Sequence, residues 1–196
     1  ATYVSFDLET TGFSVIHDGI TEFGAVKIKN GEVIDRLQSF IHPGKSIGTR
    51  VSQLTSITNE MVADAPSIKE FLPKILEFFE DSILVAHNAK FDIGFLNESL
   101  KRLGQEPIQN PVIDSLALAR AIMKPMKSYR LGNVCRVYRV NYDDEVAHRA
   151  DYDAEVLGSV FTTMLHSIMQ NGHYNLLDLN KLQKDDAYKI DSSCFK

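Results

Sequence analysis

A chain of 196 residues with 44% hydrophobic and 24% charged content suits one α/β domain, with a core large enough to need no disulfide framework. No apolar run approaches the ~20 residues of a membrane span, and nothing near Ala1 resembles a signal peptide. Cys135 and Cys194 form no Cys-x-x-Cys pair, which excludes a zinc ribbon and makes a reducing, cytoplasmic setting the expectation.

Residues 2–8 alternate around β-formers and read as a first strand. Residues 22–29 and 32–41, joined by Asn30-Gly31, give a strong hairpin signal, because Asn-Gly accepts the positive φ of a type I′ turn. Pro43 and Gly44 end that hairpin, and 45–64 is a polar connection. Ser67 followed by Glu70 forms a capping box, after which Ile68, Phe71, Leu72, Ile75, Leu76 and Phe79 recur at helical spacing. Residues 82–86 are a nearly all-apolar strand, of the kind covered on both faces. A helix follows to about Leu103, with Gly104 at its end. Residues 111–113 are a further strand, and Asp114 caps a helix starting at Ser115. Helical patterns resume at 129–137 and 150–169, and a polar tail follows, with a short Leu176-Leu177-Leu179-Leu182 cluster. A β-meander followed by alternating helices and strands predicts a mixed sheet with helices on its faces.

The net charge of −5 argues against a simple basic nucleic-acid coat. Residues 115–142, however, contain no Asp or Glu and carry Arg120, Lys124, Lys127, Arg130, Arg136 and Arg139. This stretch is either a solvated face or a local phosphate-binding surface, with Lys124, Lys127 and Arg130 as the candidate contacts.

The placement of acids is more informative. Asp7 and Glu9 stand two apart in Phe6-Asp7-Leu8-Glu9-Thr10-Thr11-Gly12, so a strand projects both carboxylates from one face. They are either a solvated edge or a pair that needs cations, since burying like charges side by side is costly. Asp92 follows Ala86-His87-Asn88-Ala89 and falls in the first turns of a helix, where a carboxylate is also simply stabilising. His148 precedes Asp153 by five residues; a lone His is usually structural, but one leading an acid onto a long helix is harder to dismiss. Oxygen ligands in this number suit two hard divalent cations, Mg²⁺ or Mn²⁺, rather than Zn²⁺. Two such ions support phosphodiester hydrolysis, with a neighbouring histidine taking the proton of water.

In order and spacing, Asp7 with Glu9, then Asp92, then His148 with Asp153 resemble the three motifs of the DEDD exonuclease superfamily in its histidine branch. The tyrosine branch carries Tyr four residues before the last Asp, a position held here by Arg149. The similarity covers about 3–165. It implies a ribonuclease-H-like fold, a mixed five-stranded sheet flanked by helices, and metal-dependent 3′-to-5′ removal of nucleoside monophosphates. Ala1-Thr2-Tyr3-Val4, Ala86-His87-Asn88-Ala89 and Tyr129-Arg130-Leu131-Gly132 are most similar to the proofreading exonuclease domain of PolC-type DNA polymerase III. That subgroup implies an exonuclease domain over 1–170 and an extension over 171–196, in which Asp185-Asp186-Ala187-Tyr188-Lys189 resembles the segment following the domain. The chain would then be a piece of a longer polymerase, acting on single-stranded or frayed 3′ ends of DNA, with no membrane partner.

Carried over by motif, Asp7, Glu9 and Asp153 would ligate one metal, Asp7 would reach a second, and Asp92 would contribute through water. His148 would be the general base. Leu54 and Thr55 would help hold the last base and sugar, while Asn88 and Asp114 read as structural supports. One departure stands out: the family's Leu-Thr-Gly-Ile-Thr loop is Leu54-Thr55-Ser56-Ile57-Thr58 here. The competing readings are a 3′-to-5′ exoribonuclease, since RNA-trimming members share every catalytic residue, and a non-catalytic nucleic-acid module. The complete acid set argues against the second.

Overall fold

Asn30 and Gly31 turn the chain with φ of 53° and 80°, as the type I′ geometry demands. They join β2 (Ile20–Lys29) to β3 (Glu32–Phe40), and β1 (Thr2–Thr10) pairs antiparallel with the other side of β2. This computed structural model describes residues 1–170; the expectations for 171–196, including the leucine cluster and the extension, lie outside the described residues. Two parallel strands, β4 (Ile83–Ala86) and β5 (Val112–Asp114), complete a five-stranded sheet in the order β3-β2-β1-β4-β5. The mixed sheet expected from the sequence is the one observed.

Alternation along β1 splits the core in two. Val4, Phe6 and Leu8 pack with Phe23, Leu72, Ile75, Phe79 and Leu96, beneath α3 (Ile68–Phe79) and α4 (Ala89–Arg102). Each such fully buried side chain is worth about 1.5–3 kcal/mol. On the opposite face Val85, Ile113, Leu157, Val160 and Phe161 pack under α5 (Ser115–Ile122), α6 (Leu131–Val137) and α7 (Ala150–Gln170). Ser5 donates its hydroxyl to the Ala154 carbonyl, tying α7 to the face of β1 that carries the acids.

The connection 45–64 holds more order than its polarity suggests. It contains α1 (Thr49–Thr55) and α2 (Asn59–Val62), and Ile47, Ile57 and Val62 form a small separate core. The Asn59 side chain receives the Ile47 N–H at 2.8 Å, a tertiary bond that no local periodicity announces. No helix among the described residues is long and apolar enough to cross a membrane.

Candidate active site

Because β1, β4 and β5 run parallel, their C-terminal ends at Thr10, Ala86 and Asp114 share one edge of the sheet. Ligands of open α/β sheets bind outside this edge. Asp7 and Glu9 lie near it on β1, close enough for the charge of Glu9 to act on Asp7. Asp92 reaches them from the first turn of α4, where its Oδ1 accepts the Leu8 N–H at 3.3 Å. Asp153 arrives in the first turn of α7. Its Oδ2 accepts the His148 N–H at 3.1 Å, and its Oδ1 faces the Tyr142 hydroxyl at 3.5 Å. His148 stands exposed just ahead of α7 with a left-handed backbone, φ 65°. Single ligand-type atoms of Glu9, His148 and Asp153 all lie within 4.8 Å of one another, a group able to hold a metal ion. Three motifs far apart in sequence thus converge.

The acids are uncomfortable together. Burial, then the neighbouring charges of Glu9, Asp92 and Asp153, hold Asp7 well above the usual carboxylate range. Burial, with Asp153, Glu22 and Asp92 nearby, pushes Glu9 up to about 9. Burial raises Asp92 against the opposing Leu8 N–H bond, and raises Asp153 to about 7 against the His148 N–H and Tyr142 bonds. Arg149, which feels Glu9, is already committed to Glu22. Buried carboxylate oxygens with an imidazole at the rim are the donor chemistry of hard divalent cations, and the residues fit such ions.

A stability consequence follows. Folding raises these carboxyl groups above their unfolded values near 4, so between those values and the folded ones the native state binds more protons. Stability is therefore full below about pH 4 for these groups and is lost as pH rises through about 7 for Asp153 and about 9 for Glu9. In EDTA the melting temperature should fall across that window, and added Mg²⁺ or Mn²⁺ should raise it more at pH 8 than at pH 5. Calorimetry checks this; an equal cation effect at both pH values would contradict it.

The proposed substrate contacts fare unequally. Leu54 is 60% exposed at the end of α1, whereas the Thr55 hydroxyl is buried and donates to the Val51 carbonyl at 2.9 Å. Ser56 caps α1 in the left-handed region, φ 60° and ψ 17°, which accounts for glycine in the resembling family's loop. Lys124 and Lys127 lie between α5 and α6, and Arg130 caps α6; all three are exposed, with no ion pair among the described residues. His87, held by burial below its ordinary pKa, contacts the Tyr129 carbonyl through Nε2 at 2.7 Å. That bond tethers the basic segment beside the C-terminal end of β4. Asn88 and Asp114 act as supports, the Asn88 N–H donating to Asp114 Oδ1 at 3.0 Å.

Two residues escaped the sequence reading. Glu22 is wholly buried beside the site, opposite Glu9 on β2, which only the strand register reveals. Phe13, one residue past the first motif, is 92% exposed, its ring edge-on to Phe91 at 6.3 Å. An apolar residue directly after Gly12 was the available signal for it.

Against known proteins, the exonuclease family model RNase_T matches residues 4–161. The PolC-type DNA polymerase III of Ureaplasma parvum is 50% identical over 187 residues, covering 93% of this chain and 13% of that protein. Its Bacillus cereus counterpart is 42% identical over 189 residues, covering 96% and 13%. The chain therefore spans only 13% of the length of these relatives. Among solved structures, exonuclease X in complex with 5′ overhanging duplex DNA has 22% identity and a TM-score of 0.68, over 93% of this chain and 98% of that one. E. coli exonuclease I in complex with a dA16 oligonucleotide has 16% identity and a TM-score of 0.74, over 87% and 42%. At such identities the likeness is one of fold, and it is the ribonuclease-H-like fold expected. The family match takes in Asp7, Glu9, Asp92, His148 and Asp153 alike, and the chain belongs to the exonuclease family.

Proposed function

We propose that this chain is the proofreading 3′-to-5′ exonuclease domain of a PolC-type DNA polymerase III, hydrolysing DNA from its 3′ end to nucleoside 5′-monophosphates. Residues 1–170 would form the domain, and 171–196 would lead towards the rest of a cytoplasmic polymerase chain. The observation that carries this reading is the convergence of Asp7, Glu9, Asp92 and Asp153, with the His148 imidazole within 4.8 Å of Glu9 and Asp153. Identity to the polymerase segments, rather than the fold, favours DNA over RNA.

Asp7, Glu9, Asp92 and Asp153 would hold two divalent cations, Mg²⁺ or Mn²⁺. Bound there, such ions supply a more acidic water and charge stabilisation for the leaving oxygen. His148 takes the proton of the attacking water, and its exposed position leaves the imidazole open to solvent. Asp153 holds the His148 backbone in place by accepting its main-chain N–H. Leu54 and Phe13 offer exposed apolar surfaces to the terminal bases, where stacking on an aromatic ring is worth about 1–3 kcal/mol per base. Thr55 serves this contact indirectly, its hydroxyl holding the end of α1 through the bond to the Val51 carbonyl.

Lys124, Lys127 and Arg130 would neutralise backbone phosphates. Replacing all three by glutamine should weaken single-strand binding whatever the sequence, and each lost contact should reduce the logarithmic salt slope by about 0.7. An unchanged slope in a titration by fluorescence anisotropy would return this segment to a solvated face.

The substrate test compares single-stranded, mismatched and fully paired 3′ ends of DNA with matched RNA. Opening a paired end costs about 1.4 kcal/mol per step and less at a mismatch. Two or three steps favour a mispaired end by roughly 10- to 1000-fold. Equal rates on the three DNA ends would remove proofreading, and faster trimming of RNA would make the domain an exoribonuclease.

A further inference from the structure

We infer that Glu22 is a positioning residue that, through Arg149 and Ala150, locks the His148 turn over Glu9 and Asp153; this rests on the reading of His148 as the base. Glu22 is fully buried on β2, its Cα directly opposite that of Glu9. An isolated buried carboxylate is costly, but this one receives four hydrogen bonds. Oε1 accepts the Ala150 N–H at 2.7 Å and Arg149 Nε at 3.3 Å. Oε2 accepts Gln38 Nε2 at 2.8 Å and Arg149 Nη2 at 3.2 Å. The Arg149 guanidinium also lies over the Phe40 ring, 5.0 Å from its centroid. The two residues that follow His148 are therefore fastened to the sheet.

The need for fastening is visible in the backbone. His148 sits at φ 65°, a conformation that costs a non-glycine residue energy and persists only when its surroundings over-determine it. Asp153 holds the His148 N–H on one side and Glu22 holds Ala150 on the other. Gly24 completes the seat: a Cβ there would come within 2.2 Å of the Asp151 nitrogen and 2.3 Å of the Ala150 carbonyl carbon. The start of α7 thus rests directly on β2, and Glu22 fixes where along the strand it rests. The imidazole inherits its place from that seat.

The test measures kcat and KM on a single-stranded oligodeoxynucleotide with Mg²⁺ for Glu22→Gln and Glu22→Ala, each alone and combined with His148→Ala. Glu22→Gln retains an acceptor for Ala150 and keeps the test alive should the alanine variant not fold. Misplacing a reacting group by about 1 Å costs on the order of 10²-fold, so kcat should fall about 10-fold for glutamine and about 10²-fold for alanine, with KM within about twofold. In the His148→Ala background either substitution should lower kcat by less than about threefold, because the group it positions is gone. Arg36→Gln, which cuts the separate Arg36–Glu155 tie between β3 and α7, should leave kcat within about twofold. A wild-type kcat for Glu22→Gln, its full loss repeated in the His148→Ala background, or an equal loss for Arg36→Gln would overturn the inference. A wild-type rate for His148→Ala alone would instead sink the base assignment beneath it.

Discussion

Asp7→Asn should nearly abolish turnover while making the cation-free protein more stable. The side chain keeps its volume but loses the charge placed among Glu9, Asp92 and Asp153. Losing a ligand common to both proposed ions forfeits several kcal/mol of transition-state stabilisation; at about 1.4 kcal/mol per power of ten, the rate should fall roughly 10³- to 10⁵-fold. The opposite effect on stability comes from the same group: a buried carboxyl held well above its ordinary pKa opposes folding at every pH above its unfolded value. In EDTA at pH 8 the variant should melt above the wild type, and added Mg²⁺ should raise its melting temperature less. Parallel single-turnover kinetics and calorimetry test both halves. A variant that is inactive because it melts lower would point to a structural role for Asp7.

The second large effect belongs to His148. A positioned general base contributes about 10²- to 10⁴-fold, and His148→Ala should lower kcat by that order. Binding of single-stranded DNA in Ca²⁺ should stay near that of the wild type, since the exposed imidazole supports no core. The backbone gives this variant a further use. Alanine tolerates the φ of 65° no better than histidine, so loss of activity with an unshifted melting temperature reports the imidazole and not the turn. Activity within a few-fold of wild type would place the base elsewhere.

Local chemistry made much of this legible. Ser67 receives the Glu70 N–H at 3.3 Å, the cap read from its spacing. The period-two pattern of β1 put Val4, Phe6 and Leu8 in one core and the acids on the other face. Each acidic motif is a few residues long, so order and spacing survive in one dimension. What stayed hidden depends on pairing across the sheet. Glu22 is one more acid in a hairpin until the β1–β2 register sets it opposite Glu9, and Arg149 is only a position that lacks tyrosine until it meets Glu22 at 3.2 Å. The helices α1 and α2 were missed because the small core of Ile47, Ile57 and Val62 and the Asn59 bond to Ile47 hold them. Propensity within 45–64 gives no such signal.

The most direct measurement follows a 5′-labelled single-stranded oligodeoxynucleotide digested with Mg²⁺ and with excess EDTA, with the released products identified by mass spectrometry. The carboxylate cluster predicts a ladder shortening one nucleotide at a time from the 3′ end, nucleoside 5′-monophosphates as the only small product, and no digestion in EDTA. Wild-type rates in EDTA, or cleavage at internal positions without release of mononucleotides, would contradict it.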